Sequence, residues 1–187
     1  MVREIVRYPT PVLRAKCRPI TQVTDEHRQL ALDMIDTMKA ANGVGLAAPQ
    51  VAEDVQMAVI DVSHNPQCVT YLRINGKDAD LVASMPIIFI NPQLDLGKDK
   101  ATDEEGCLSF PELRAQIRRP ATMKVTYQTL DGESVTLEAD GLLARAFQHE
   151  IDHLNGILFI DRVSAASKIG VMRRLRRLQE EWDEDED

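Results

Sequence analysis

The chain has 187 residues, 44% of them apolar and 28% charged, which is ordinary for a globular protein with a proper core. No run approaches the ~18 apolar residues of a membrane helix, the N-terminus lacks a secretory apolar core, and three widely spaced cysteines (Cys17, Cys68, Cys107) argue against a disulfide framework. The expected setting is reducing and cytoplasmic, with no membrane or DNA partner; the net charge of −8 excludes little more, because seven acidic residues are gathered in 180–187.

Residues 1–20 read as irregular, punctuated by Pro9, Pro11 and Pro19. Residues 24–41 fit an amphipathic helix capped by Thr24 or Asp25, with Leu30, Met34, Ile35 and Met38 as its apolar stripe and Asn42-Gly43 as its stop. A glycine-containing loop follows, then a strand at 56–62. Residues 63–86 are polar, with Gly76 and two prolines, and read as an excursion with little core. A short buried strand at 87–90 should stop at Asn91-Pro92, and 93–106 is polar and charged. Cys107-Leu108-Ser109-Phe110 is compatible with an extended segment stopped by Pro111. Alternation at 122–129 and 134–139, with Asp131-Gly132 between, predicts a hairpin. A helix of about 142–154 closes at Asn155-Gly156, and a last helix spans about 164–180, ahead of the acidic tail 180–187. The expectation is one α+β domain over 1–187, with short, mostly antiparallel strands around a central helix and a C-terminal helix.

Residues 148–153, Gln-His-Glu-Ile-Asp-His, place H-E-x-x-H on the central helix. Histidines four apart lie about 40° out of register, so both can face one metal ion. Glu150 lies about 100° round from His149, where it can act as a general base beside the metal. The neighbours Leu142, Leu143, Ala146, Phe147, Ile151 and Leu154 make most of the helix apolar, so His149, Glu150 and His153 are expected to be buried. Buried and unpartnered they would be costly, which favours a metal site over a surface coincidence.

A third ligand is required. No histidine follows His153, and the extended zinc-peptidase signature is missing. A metallo-endopeptidase, the alternative reading, would need a downstream ligand and would tolerate loss of Cys107. Cys107, in Glu105-Gly106-Cys107-Leu108-Ser109, is the better candidate, although a lone cysteine is commonly an inert buried thiol. A Cys-His-His set leaves a fourth position open and accepts zinc, iron(II), nickel or cobalt. The third segment, Gly43-Val44-Gly45-Leu46-Ala47-Ala48-Pro49-Gln50, lacks the lysine and spacing of a phosphate loop; small residues in a row let another backbone or a ligand come close.

These three segments, in this order, resemble the three signature motifs of peptide deformylases, and the resemblance runs from the N-terminal helix to Phe159. It implies removal of the N-formyl group from the initiator methionine of new polypeptides. It implies Cys107, His149 and His153 as metal ligands, with iron(II) the usual ion and zinc, nickel or cobalt able to replace it. Glu150 becomes the general acid/base, and Gln50 with the Leu108 N–H the oxyanion site. Val44, Gly45, Glu105, Leu142 and Ala146 are candidates for contact with the formyl-methionyl peptide. Glu105 is also expected to pair with Arg118 or Arg119, and Arg114 either meets the substrate or is solvated. The family further implies that the basic C-terminal helix, with Arg173, Arg174, Arg176 and Arg177, contacts the ribosome; the acidic tail departs from that pattern.

Overall fold

The computed structural model describes residues 1–184. The last three residues of the expected acidic tail lie outside the described residues.

Helix α1 (Asp25–Ala40) begins as the sequence requires: the Thr24 side chain accepts the His27 N–H, and the His27 ring accepts the Thr24 N–H. Its stripe of Leu30, Ala31, Met34 and Met38 packs on Leu46, Met57, Val59 and Ile90. The glycine loop is not all loop. Gly45–Ala47 forms a short buried strand, β1, and Ala48–Val51 a 3-10 turn that presents Gln50.

Strand β2 (Met57–Ile60) follows, wholly buried. Strands β3 (Leu72–Ile74) and β4 (Lys77–Asp78) lie within the excursion. The expectation of little core holds for most of that segment, but β3 pairs with the later strand at Ser134–Asp140 and buries Leu72. Strand β5 runs Ile87–Leu96, past the expected stop at Asn91-Pro92. Asn91 takes a positive φ of 50°, and the register with the later strand at Thr122–Gln128 shifts between Ile90 and Gln93, so a bulge absorbs the proline instead of ending the strand. The Asn91 side chain braces the bulge, bonding both the N–H and the carbonyl of Ile20.

The largest departure is at 93–120. Strand β6 (Lys100–Cys107) pairs with β7 (Phe110–Pro120) as a separate two-stranded sheet. Pro111 therefore begins a strand rather than stopping one. Strand β6 was hidden because most of its side chains face solvent. Strands β8 (Thr122–Gln128) and β9 (Ser134–Asp140) form the expected hairpin. The main sheet is antiparallel in the order β1-β2-β5-β8-β9-β3-β4.

Helix α2 (Gly141–Leu154) lies across this sheet, with residues 143–154 all buried. Phe147 packs on Phe89, with ring centroids 4.7 Å apart. Helix α3 (Ala165–Glu184) is four residues longer at its end than expected, because Leu175, Leu178 and Trp182 bury against Leu113, Phe110 and Phe159. The expected acidic tail is thus partly helix. Among the described residues no helix is long and apolar enough to cross a membrane.

Candidate metal centre

Helix α2 turns His149, Glu150 and His153 toward the ends of β1 and β6. The candidate ligand atoms of Cys107, His149 and His153 all lie within 4.8 Å of one another. His153 Nε2 is 3.3 Å from Cys107 Sγ, and the two imidazole centroids are 5.0 Å apart. His149 uses Nδ1 to donate to Glu105 Oε1 at 2.9 Å, which leaves Nε2 to face the cysteine.

The glycines of the first motif bring it onto the other two. A Cβ at Gly43 would stand 2.7 Å from Leu108 Cδ1, and one at Gly45 would stand 2.3 Å from Glu150 Oε1. No side chain larger than hydrogen fits there without displacing a neighbour. Gln50 sits beside Cys107. Its Oε1 accepts the Ala47 N–H at 2.9 Å, and its Nε2 donates to Ser109 Oγ at 3.2 Å and reaches Cys107 Sγ at 3.5 Å.

Beneath the histidines lies a buried ionic network that the sequence reading captured only in part. Glu105, 5% exposed, accepts two bonds from Arg119 (2.7 and 3.0 Å) and one from Arg145 (2.7 Å) besides that of His149. Arg119 continues to Asp152 at 2.8 Å, and Asp152 accepts two bonds from Arg162. Of the two expected partners, Arg119 is the one Glu105 takes. Glu105 was also a candidate for substrate contact, but both its oxygens are engaged behind His149. Arg145 and Asp152 were overlooked, although charged residues on an otherwise apolar helix, at four before and three after His149, were a readable signal. Arg114 is exposed, 3.7 Å from Glu104.

The electrostatics suit a cation between the three ligands. Burial opposes a charge on His149, but Cys107 and Glu105 outweigh it and raise its pKa well above the usual value. That field favours positive charge at the position a metal would take. Burial, then His149 and Arg119, hold His153 neutral, the form that ligates. Burial pushes the Glu150 carboxyl up to about 7. Among the described residues, Glu150 Oε2 and His153 Nδ1 are the buried side-chain polar atoms without a protein partner. Of the peptide-contact candidates, Val44 is 37% exposed, Gly45 and Ala146 are buried, and Leu142 is half-buried.

Two histidines on one helix, a thiol from a neighbouring strand and an adjacent carboxylate with a free oxygen define a metallohydrolase centre. Residues 2–175 match the family model described as polypeptide deformylase. The chain is 43% identical over 178 residues to the peptide deformylase of Brucella suis, covering 95% of this chain and 93% of that one. It is 41% identical over 186 residues to that of Acidobacterium capsulatum, covering 97% and 99%. Among solved structures, the peptide deformylase of Thermotoga maritima superposes with a TM-score of 0.75 at 38% identity, covering 88% of this chain and 99% of that one. A plant peptide deformylase superposes at 0.82 with 33% identity, covering 98% and 92%. The chain belongs to the peptide deformylase family, metallohydrolases that remove the N-formyl group from nascent peptides.

Proposed function

We propose that Cys107, His149 and His153 hold one divalent ion, iron(II) in the cell, with zinc, nickel or cobalt able to occupy the same ligands. When bound, the ion supplies Lewis-acid polarisation of the formyl group and makes water acidic enough to lose a proton near neutral pH. The residues do the rest. Glu150, whose Oε2 has no other partner, accepts the proton of the attacking water and delivers it to the departing amine. Negative charge that develops on the formyl oxygen is met by the second N–H of Gln50 and the backbone N–H of Leu108. Formate and a free α-amine result.

The methionine side chain enters an apolar pocket lined by Val44, Leu142 and Ala146, a separation of seven and three residues from His149 that places the last two near its face of α2. Among the described residues strand β1 has only β2 as a neighbour in the sheet, so the backbone at Val44-Gly45 can add the formyl-methionyl peptide as a further strand. We read residues 1–187 as one catalytic domain acting in the cytoplasm on chains leaving the ribosome. Arg173, Arg174, Arg176 and Arg177 are all exposed on α3 and suited to ribosomal RNA phosphate.

The convergence of Cys107, His149 and His153, whose ligand atoms lie within 4.8 Å of one another, with Gln50 of the first motif 3.5 Å from Cys107 Sγ, carries this reading. Formate release from formyl-Met-Ala-Ser, measured on metal-replete protein kept anaerobic, tests it. Release should depend on Glu150, and activity equal in the Glu150→Ala protein would overturn it. For the ribosome, co-sedimentation of a variant with the four arginines changed to glutamate is the cleaner test, since deleting α3 would strip Leu175, Leu178 and Trp182 from the core. Equal binding would remove that contact.

A further inference from the structure

Ser109 closes the second motif and takes no part in the chemistry above. It is fully buried, and its hydroxyl accepts from Gln50 Nε2 at 3.2 Å. A carboxamide has one acceptor and two N–H donors. In Gln50 the acceptor is held by the Ala47 N–H, and one donor is held by Ser109. The remaining donor is the one directed toward Cys107 Sγ, 3.5 Å away, and thus toward the ligand cluster. The two ends of the amide are anchored on different segments, the end of β1 and the turn between β6 and β7.

The N-terminal segment repeats this tie through the backbone. Val6 N–H donates to the Gln50 carbonyl at 2.9 Å, and Tyr8 N–H to the Ser109 carbonyl at 3.0 Å. Tyr8 also stacks on Phe110, centroids 5.0 Å apart.

We infer that Ser109 is a positioning residue for the oxyanion site: its hydroxyl sets the rotation of the Gln50 amide so that one N–H is left aimed at the formyl oxygen. The inference rests on the assignment of Gln50 as an oxyanion donor. A donor that must rotate into place loses the preorganisation on which this kind of stabilisation depends. A serine that merely filled space would act independently of Gln50.

The test is a double-mutant cycle on metal-replete full-length protein, with kcat and KM measured on formyl-Met-Ala-Ser. Ser109→Ala should lower kcat by roughly 10-fold or more with KM within about threefold, because the missing interaction is made in the transition state. In the Gln50→Ala background the same change should have little further effect. The second readout is the sulfur-to-metal charge-transfer band of the cobalt-loaded protein, which should shift in Ser109→Ala as the Gln50 N–H is freed to move relative to Cys107. Ser109→Cys keeps the volume and a weak acceptor, and should lie between. If Ser109→Ala does not fold, the Ser109→Cys protein decides. A kcat within twofold of the unmutated protein, or equal losses with and without Gln50, would overturn the inference. An inert Gln50→Ala would instead strike at the Gln50 assignment itself.

Discussion

A methyl group at Gly45 would stand 2.3 Å from Glu150 Oε1, 2.8 Å from its Cδ and 3.0 Å from its Cγ. Ordinary contact begins at 3.4 Å, so in Gly45→Ala the oxygen must retreat by about 1.1 Å. The atom that gives way is the end of a side chain, not backbone. The cost to folding should therefore sit near the low end of overpacking, about 1 kcal/mol, or roughly 2–4 °C in Tm. The cost to chemistry is larger. A misplacement of about 1 Å at a reacting group lowers rates by ~10²-fold, within the ~10²–10⁴ that a general base contributes. Formate release by Gly45→Ala should thus fall about 100-fold in kcat while metal content stays full. Gly170→Ala is the control: a Cβ there meets nothing within 4 Å, and α3 should gain about 0.5–1 kcal/mol with activity intact. A Gly45→Ala enzyme with kcat within threefold of the parent would refute the placement of Glu150, as would a loss accounted for by unfolding.

Arg119→Ala would remove the cation shared by buried Glu105 and Asp152, each of which keeps a second arginine, and should cost about 1–3 kcal/mol in denaturant unfolding; an unchanged midpoint would show that the network adds nothing. Cys68 is exposed, whereas burial pushes the Cys17 thiol up to about 11, so the metal-loaded protein should show one fast-reacting thiol and gain a second, Cys107, once a chelator removes the metal. Fast labelling of Cys107 with the metal in place would contradict its role as a ligand. Burial works to raise the Asp161 pKa, but Arg14 and the Leu158 N–H outweigh it and hold it below the ordinary value. Its contribution is therefore present above the unfolded pKa of about 3.9 and lost as pH falls through the lower folded value. Urea midpoints of the parent and Asp161→Asn should differ at pH 7, and the gap should narrow progressively as pH falls below about 4; a gap that widens toward acid would contradict this sign.

Local chemistry determined what the sequence could show by itself. The cap of α1 at Thr24, the turn at Asp131-Gly132 and the apolar faces of α1 and α2 rest on contacts within a few residues. The histidine spacing follows from helix geometry alone, and the lack of a later ligand pointed to Cys107. The strands at 100–120 were not legible by the same means. Strand β6 shows mostly exposed side chains, and Pro111 and Pro92 end strands in general but not beside a bulge or at a strand start. The tertiary structure alone decided three things: that Gly45 is a strand against Glu150, that Glu105 lies under two arginines and His149, and that Ser109 faces Gln50. Each joins residues 14 to 105 positions apart, and no local periodicity encodes a pairing of that range.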